Sequence, residues 1–353
     1  MKTFNEYIKE NYPNSVFEGN NFLRFTKFED ELSVLKNGVG LKVSETASLI
    51  KLAGKDTIDF LHRVSTNDLI SIKPFTKRNT LFLNEKGRFI AKSTLLSFLD
   101  ENWLLSDFDP ANRIFSWLNK FIISEDIKTE DVSLKYSLLE LTGPQAESFI
   151  MLLIGDEVSK ISPEDFRRFD ADGFTFYLFR SSEKANCNST KIIIESDRLV
   201  DFTEHLFSIK SVFDISLVGR HALDTYRIEK LIPAFPNELN AEVNPHDVNL
   251  LSEICTTKGC YIGQEVIARL ETYDKVQRKL VKIISAQKIE EPSKVVYNDS
   301  GEEVGEITTH GVYTNSTGYA SLCLLRKKML LQNSNYHILL NNKKVSIKIA
   351  AED

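Results

Sequence analysis

The feature that most constrains the fold is a local pattern that occurs twice in the chain, 89 residues apart. Ser48–Gly54 is a mostly apolar segment that ends in glycine and precedes Phe-Leu at 60–61, and Ser137–Gly143 repeats it ahead of Phe-Ile at 149–150. Each copy predicts a strand, a glycine turn and an amphipathic helix. Two copies in roughly the first 250 residues predict two related α+β lobes.

Other segments predict further strands and helices. Residues 17–41 alternate apolar and polar side chains, which predicts paired strands with a turn at Asn37-Gly38. The spacing of apolar residues predicts helices at 112–122 and 199–207. Past residue 276, six short apolar segments separated by polar turns predict a small β-barrel or sandwich.

A second constraint is the segment Thr257–Glu265, Thr-Lys-Gly-Cys-Tyr-Ile-Gly-Gln-Glu. Its thiol, Cys260, lies between two glycines, which suit a close backbone approach or a positive φ, and two residues after Lys258. The apolar residues at 266, 267 and 270 predict a short helix that begins near Gly263. Cys260 would then lie just before a helix N-terminus and beside an ammonium group, and both features favour the thiolate form.

Three roles for Cys260 remain open: a nucleophile or redox thiol, a transient ligand of an iron–sulfur cluster, or a small buried apolar side chain. We expect Cys255 and Cys323, which lie in apolar sequence, in the core, and Cys187 in an exposed loop at 181–190. With four cysteines, six histidines and no paired ligand spacing among them, we expect neither a disulfide scaffold nor a metal site.

Lys258–Glu265 closely resembles the signature of the YgfZ family, the folate-binding relatives of the glycine-cleavage T-protein (aminomethyltransferase). The resemblance extends through other parts of the chain, which are 226–230, 232–233, 237–239 and 277–281, and more weakly 54–56 and 84–88. It implies an α+β fold in which two ferredoxin-like, T-protein-like lobes precede a small C-terminal β-barrel. The implied domains are a discontinuous folate-binding lobe, a second α+β lobe and the barrel, at 1–45 with 135–276, at 46–134 and at 277–353.

The resemblance also implies a site for tetrahydrofolate or another reduced folate. Glu229 matches the Arg-x-Glu segment with which T-protein relatives contact the pterin, and a carboxylate can accept from both the amino group and the ring N–H of a pterin edge. The alternative is that Arg227 and Glu229 are a solvated pair on a helix surface. Cys260 and Lys258 are the expected reactive pair. The expected cofactor-binding residues are Glu229, Arg227, Gly259, Tyr261, Gln264 and Glu265.

Charge restricts the classes of partner. Residues 256–282 carry six basic and three acidic side chains in a chain whose net charge is −6. This local excess could hold the glutamate tail of a folate or RNA phosphate, or it could belong to a solvated linker into the barrel. The overall negative charge argues against a general nucleic-acid or anionic-membrane surface, so we expect no direct RNA binding and no membrane partner.

The N-terminus and the apolar runs concern cellular location. No apolar run approaches the ~20 residues that a membrane helix needs. Met1–Asn14 contains Glu6 and Glu10 and has no apolar core, so it predicts neither a secretory signal nor a transit peptide. We therefore expect a cytoplasmic protein.

One departure from the T-protein pattern bears on activity. Aminomethyl transfer in that family requires an aspartate shortly after a glycine-containing turn, and the aligned segment here is 87–92, Gly-Arg-Phe-Ile-Ala-Lys. Ala91 and Lys92 occupy the positions of the acid, and a lysine cannot replace a carboxylate beside a developing cation. We expect no glycine-cleavage activity; if another acid serves instead, the candidates are Asp68, Asp100 and Asp107.

Three functions remain open. The first is a folate-binding accessory protein of the YgfZ type, for which the resemblance implies support of iron–sulfur cluster assembly or repair and thereby of tRNA modification, with iron–sulfur enzymes or assembly factors as protein clients. The second is a folate-dependent aminomethyl- or methyltransferase that uses another base. The third is a non-catalytic module that docks a client. Dependence on Cys260 favours the first, and an acid near Lys92 favours the second.

Overall fold

The computed structural model describes residues 2–19, 21–44, 46–109, 112–181, 189–273, 275–289, 294–314, 318–330 and 335–350. Cys187, predicted to lie in an exposed loop, falls outside these ranges. The chain divides into two compact units. Unit 1 consists of Met1–Leu81 with Ala91–Leu223, and unit 2 consists of Phe82–Ile90 with Asp224–Asp353. These two units are defined by contacts within the chain and do not test the predicted division into three domains, which stays a prediction.

Helices and strands alternate irregularly along the chain. The helices of the described residues are α1 Phe4–Asn11, α2 Phe28–Asn37, α3 Thr57–Val64, α4 Arg113–Phe121, α5 Ala146–Ile154, α6 Leu199–Ser208, α7 Arg220–Glu229, α8 Gln264–Thr272 and α9 Lys327–Leu330. The strands up to residue 217 are β1 Val16–Glu18, β2 Asn21–Arg24, β3 Val39–Ser44, β4 Ser48–Ala53, β5 Lys77–Leu83, β6 Phe89–Ser97, β7 Asn102–Ser106, β8 Lys128–Asp131, β9 Tyr136–Thr142, β10 Phe166–Ala171, β11 Phe174–Arg180, β12 Ser189–Glu195 and β13 Ile215–Leu217. The later strands are β14 Arg278–Ser285, β15 Val295–Asn298, β16 Glu303–Thr314, β17 Gly318–Arg326, β18 Tyr336–Leu340 and β19 Lys343–Ile349.

The strands form two large sheets and a barrel. A six-stranded sheet has the order β10-β11-β12-β9-β3-β13, and β13 runs parallel to β3 while the other pairs are antiparallel. A five-stranded sheet has the order β5-β6-β7-β4-β8. In unit 2 the strands β14-β17-β16-β15-β18-β19 close into a barrel. The α+β class with a C-terminal barrel is confirmed, and so are the helices predicted at 112–122 and 199–207.

The sequence repeat corresponds to a structural repeat. The first copy forms β4 and α3, and the second forms β9 and α5, so the two copies belong to different sheets. The glycine at the end of each strand has a positive φ, 132° at Gly54 and 137° at Gly143. A Cβ would lie 2.0 Å from the Asp126 carbonyl oxygen at the first position and 2.4 Å from the Gly38 carbonyl oxygen at the second. Both turns therefore require glycine.

Two of the apolar cores formed by the described residues of unit 1 position its sheets. The larger core packs the helices α1, α5 and α6 on the six-stranded sheet, with Phe149, Phe176 and Phe202 fully buried. The other core joins the two sheets, since Leu96 and Trp103 of the five-stranded sheet pack with Phe179 of the six-stranded sheet. This second core fixes the two sheets relative to each other within unit 1.

The prediction of paired strands at 17–41 is wrong for its second half. β1 and β2 do pair, but 28–37 forms helix α2, and β3 follows at Val39. The reason is the fully buried Glu31, whose carboxylate accepts from the backbone N–H groups of Phe25 and Thr26 at 2.6 Å each and of Gly219 at 2.8 Å. These bonds hold the first turn of a helix against two chain segments, which local alternation of side chains does not reveal.

We predict that Glu31→Gln destabilises unit 1 while Glu29→Gln, an exposed position on the same helix, has little effect. Glutamine keeps the shape but removes the negative charge and puts an NH₂ group where an oxygen now accepts, so we expect a loss of about 1.5–3 kcal/mol in the free energy of unfolding. Urea denaturation followed by circular dichroism measures it. Equal midpoints for the two variants would show that the buried carboxylate is not a structural anchor.

Candidate functional site

The segment that contains Cys260 is a loop in unit 2 that leads into α8. The helix begins at Gln264 and Gly263 is its N-cap, which confirms the helix predicted to begin near Gly263. Gly263 has a φ of 84°, and a Cβ there would lie 2.5 Å from the carbonyl oxygen of Asn84. The loop thus packs against the turn at 84–87, where Asn84 accepts from the backbone N–H groups of Lys86 and Arg88. Two segments of the predicted resemblance lie together here.

Cys260 is the exposed thiol among the described cysteines. Cys323 is fully buried in the barrel, as predicted, and burial raises its pKa to about 12. Cys255 is half-buried rather than part of the core, and its Sγ lies 3.4 Å from the hydroxyl of Thr257. Cys260 is therefore not a packing residue, and the role of a buried apolar side chain is wrong for it.

The side chains next to Cys260 have different surroundings. The Lys258 ammonium lies 5.3 Å from the ring centre of Tyr261, a cation–π distance, and Tyr261 is buried. Burial raises the pKa of Tyr261 to about 12, so the phenol stays neutral. The Gln264 side chain accepts from the Tyr261 backbone N–H at 3.3 Å. Tyr261 and Gln264 thus hold the loop, and Lys258 lies over it.

Two signature residues lack a visible structural role. Gly259 is exposed, and a Cβ built on it would meet nothing within 4 Å, so the fold of the described residues does not require glycine there. Glu265 forms an exposed i,i+4 pair with Arg269 at 2.8 Å, and its side chain is 85% exposed. Such surface pairs contribute little to stability. The assignment of Gly259 and Glu265 to a cofactor-binding site stays a prediction.

Arg227 is part of a buried network in unit 2. Its guanidinium donates to Asp224 at 2.6 Å, to Glu238 at 2.8 Å and to the Thr309 hydroxyl at 2.6 Å, and its side chain is only 12% exposed. Burial alone would lower the pKa of Arg227, but the two carboxylates outweigh it and the pKa is raised. The alternative of a solvated Arg227 on a helix surface is therefore wrong. Sequence reasoning missed Glu238, which is fully buried.

Glu229 is the last residue of α7 and is half-buried. Its backbone carbonyl oxygen accepts from the Lys282 ammonium at 3.3 Å, which places a cation of the predicted basic patch at the helix C-terminus. Arg227 and Glu229 do not share one environment: the guanidinium is committed to the network, whereas the carboxylate lies at the end of the helix. The pterin contact of Glu229 stays a prediction.

The positions expected to hold the aminomethyltransferase acid lie in unit 1. Ala91 is buried in β6, and the next residue, Lys92, lines a cavity together with Asp107. Of the three alternative acids, Asp107 is thus the one that shares a cavity with Lys92. Its carboxylate lies 2.5 Å from the Lys191 ammonium. Burial alone would raise the pKa of Asp107, but Lys191, Lys42 and Lys92 outweigh it and the pKa is lowered, which makes this carboxylate a weak base.

Comparison with known proteins establishes the class. Residues 4–258 match the family model described as GCVT N-terminal domain. The match covers well over half of the chain, and the chain therefore belongs to this family.

Individual relatives agree with this assignment. The chain is 27% identical over 291 residues to the mitochondrial aminomethyltransferase of Flaveria trinervia, covering 80% of this chain and 70% of the relative. It is 21% identical over 336 residues to the aminomethyltransferase of Staphylococcus carnosus, covering 94% and 91%. The crystal structure of glycine cleavage system aminomethyltransferase T from Bartonella henselae superposes with a TM-score of 0.82 at 18% identity, covering 98% and 95%. The predicted T-protein-like fold is confirmed.

None of the helices in the described residues is long and apolar enough to cross a membrane. No group of three or more histidine, cysteine, aspartate or glutamate side chains among them could hold a metal ion.

We predict that Gly263→Ala disturbs the Cys260 loop, whereas Gly259→Ala leaves the fold intact. Alanine at 263 would require a positive φ and a contact of 2.5 Å with the Asn84 carbonyl oxygen, so we expect a loss of about 1–3 kcal/mol in the free energy of unfolding. Alanine at 259 meets open space. Urea denaturation of both variants measures the difference. Equal stabilities would contradict the packing of the loop on the turn at 84–87.

Proposed function

We propose that the protein is a folate-binding accessory protein of the aminomethyltransferase family, which supports the assembly or repair of iron–sulfur proteins through the thiol of Cys260. The observation that carries the proposal is an exposed cysteine on a loop that Gly263, Tyr261 and Gln264 hold in place. A fixed loop that presents a thiol to solvent fits a residue that receives or protects a sulfur, iron or one-carbon species. Iron–sulfur enzymes that thiomethylate tRNA are the expected beneficiaries.

Folate binding rests on the family and on the signature. The relatives are named aminomethyltransferases, and the resemblance of 258–265 to the YgfZ signature implies tetrahydrofolate or another reduced folate as the ligand. Glu229 supplies the carboxylate for the pterin edge, and the basic side chains near the signature, which include Lys282, supply charge for the glutamate tail. The buried network around Arg227 holds α7, the helix that ends at Glu229, in one position.

Glycine cleavage itself is not the proposed activity. The transfer needs a carboxylate beside the folate nitrogen, and Ala91 and Lys92 stand at the expected positions. The nearby Asp107 is paired with Lys191, so it cannot act as a general base without losing that ion pair. A methyltransferase that recruits Asp107 is the competing hypothesis, because this acid shares the cavity with Lys92.

We predict that tetrahydrofolate binds the wild-type protein and that Glu229→Gln weakens binding by about tenfold or more, because one charge-assisted acceptor is lost. Glu242→Gln, an exposed position of unit 2, is the matched control and should bind like wild type. Isothermal titration calorimetry with tetrahydrofolate and formyl-tetrahydrofolate measures the affinities. Equal affinity for wild type and Glu229→Gln would remove Glu229 from the site.

The same preparations separate the proposal from the competing hypothesis. In a coupled glycine-cleavage assay, the wild-type protein should transfer no methylene group from an aminomethylated carrier. Turnover that Asp107→Asn abolishes would favour the methyltransferase. Failure to bind any reduced folate would leave a module without the proposed ligand.

We predict that iodoacetamide labels Cys260 faster than Cys255 and Cys323, because it is the exposed thiol among the described cysteines. Lys258→Ala should slow the reaction. Lys275→Ala is the matched control, since Lys275 lies over Tyr273 at the same 5.3 Å but outside the signature. Mass spectrometry of timed labelling gives the rates. Labelling of Cys260 no faster than Cys255 would contradict the reactive role.

The cellular arm of this prediction uses Cys260→Ser, with Cys255→Ser as control. The first variant should fold and bind folate but lower the activity of iron–sulfur enzymes, such as tRNA methylthiotransferases, under oxidative stress. A Cys260→Ser strain that matches the control would remove the thiol from the function and leave a folate-binding scaffold.

A further inference from the structure

A second cavity of unit 1 lies between its two sheets, at the end where β4 and β9 begin and where β7 and β12 end. Its volume is about 230 Å³. Protein interiors are close-packed and seldom contain a void much larger than a water molecule. A space of this size between two packed sheets therefore needs an explanation.

The space exists because the chain crosses between the two sheets twice at this end. The segment after β3 leads from the six-stranded to the five-stranded sheet, and the segment after β8 leads back. Small side chains occupy both crossings and the adjacent strand ends. In the described part of the lining these are Ser44, Ala47, Ser48, Ser133, Ser137 and Ser196. Small side chains at such a junction leave its centre unfilled.

The floor of the cavity is apolar and rigid. Leu49 and Leu105 are cross-strand partners in the five-stranded sheet. Leu138 and Ile193 are cross-strand partners in the six-stranded sheet. All four are at most 5% exposed and belong to the core that joins the two sheets. The floor therefore offers an apolar ring a preformed surface, as small-molecule sites in proteins commonly do.

The serine hydroxyls of the wall differ in how firmly they are held. Ser133 donates to the Asp131 carboxylate at 2.6 Å, which is a charge-assisted bond. Ser137 and Ser196, in contrast, share a bond of 3.0 Å between two neutral hydroxyls. Since a hydroxyl can donate once and accept twice, this pair can accept from a ligand O–H while its own bond persists. A ligand group that donates a hydrogen bond therefore suits the wall.

The size and the mouth of the cavity define the rest of the ligand. An apolar cavity of about 150 Å³ holds benzene, so 230 Å³ has room for a ring with one or two small substituents. Leu134 lines the cavity but is 94% exposed, so it lies at the mouth. A ligand that covers Leu134 removes apolar surface from water, which favours binding. Tyr136 also lines the cavity, and its ring packs on Trp103 at 5.0 Å, so the core between the sheets supports this wall.

We propose that this cavity binds a small ring compound that carries a hydroxyl group. The ring lies on the apolar floor, and the hydroxyl donates to the pair formed by Ser137 and Ser196. The described lining contains none of the residues that we assign to the chemistry of Cys260, to the folate or to the missing acid. The inference thus goes beyond the proposed function, and the two can fail separately.

The test is a ligand-observed NMR titration of the full-length protein with phenol and, separately, with toluene, which has a methyl group in place of the hydroxyl. Phenol should bind the wild-type protein more tightly than toluene, because only phenol donates to the serine pair. Ala47→Leu enlarges a half-buried side chain of the lining by an isopropyl group, so it should weaken phenol binding by about tenfold or more. Ala286→Leu, at an exposed position of unit 2, is the matched control and should bind like wild type.

A double variant, Ser137→Ala with Ser196→Ala, isolates the hydroxyl contact. It removes both partners of their shared bond, so neither hydroxyl is left without the other. Phenol binding should weaken by roughly threefold to tenfold, because one neutral hydrogen bond to the ligand is lost. Toluene binding should not weaken. Ser148→Ala, at an exposed position of α5, is the matched control.

The outcomes separate the cavity from its ligand. Absence of phenol binding, or phenol binding that Ala47→Leu leaves unchanged, would overturn the proposal. Toluene binding as tight as phenol binding, or an unaltered phenol affinity in the double serine variant, would overturn the assignment of a hydroxyl-bearing ligand. Circular dichroism verifies that each variant is folded. If Ala47→Leu does not fold, the comparison of wild type, the double serine variant and Ser148→Ala decides.

Discussion

The packing of the two sheets of unit 1 around Trp103 determines which polar side chains of the two sheets come together. Trp103 is buried, its ring centre lies 5.0 Å from that of Tyr136 and 5.1 Å from that of Tyr177, and its N–H donates to Glu101 at 2.7 Å. Contacts of this kind contribute about 0.5–1.5 kcal/mol per ring pair beyond the burial of area. Because this core fixes β7 relative to β12, the carboxylate at 107 meets the ammonium at 191. The ion pair between Asp107 and Lys191 therefore depends on an aromatic core.

Unit 2 depends on a polar interaction instead. Glu238 is fully buried and accepts from Arg227, from the Ala234 N–H and from the Thr309 hydroxyl of the barrel strand β16. Removal of one partner from such a network costs about 3–5 kcal/mol, because a buried charge is left without compensation. The network ties α7 to the barrel, so Glu229 at the end of α7 has a fixed position. A carboxylate on a rigid helix end is suited to a ligand contact, whereas the arginine of the same motif serves the fold.

Local patterns predicted the elements that depend on local causes. The repeat at 48–54 and 137–143 and the helix after Gly263 are confirmed, since periodicity and glycine act over a few residues. Helix α2 was missed because its first turn depends on bonds from Glu31 to segments that include residue 219, far away in sequence. The ion pair between Asp107 and Lys191 was missed for the same reason, since its two residues lie 84 positions apart in sequence. A signal was present: Lys191 directly precedes the apolar run Ile-Ile-Ile at 192–194, where a charge needs an explanation.

The two glycines that flank Cys260 separate structure from function in the signature. Gly263 is required by the fold, because its φ is 84° and its α-carbon lies against the turn at 84–87. Gly259 has open space around it, so nothing in the described part of unit 2 accounts for a residue without a side chain. A glycine beside an exposed thiol leaves room for a close approach of another molecule to the backbone and to Sγ. The half of the signature that the fold does not explain is thus the half that carries Cys260, the residue through which we propose that the protein acts.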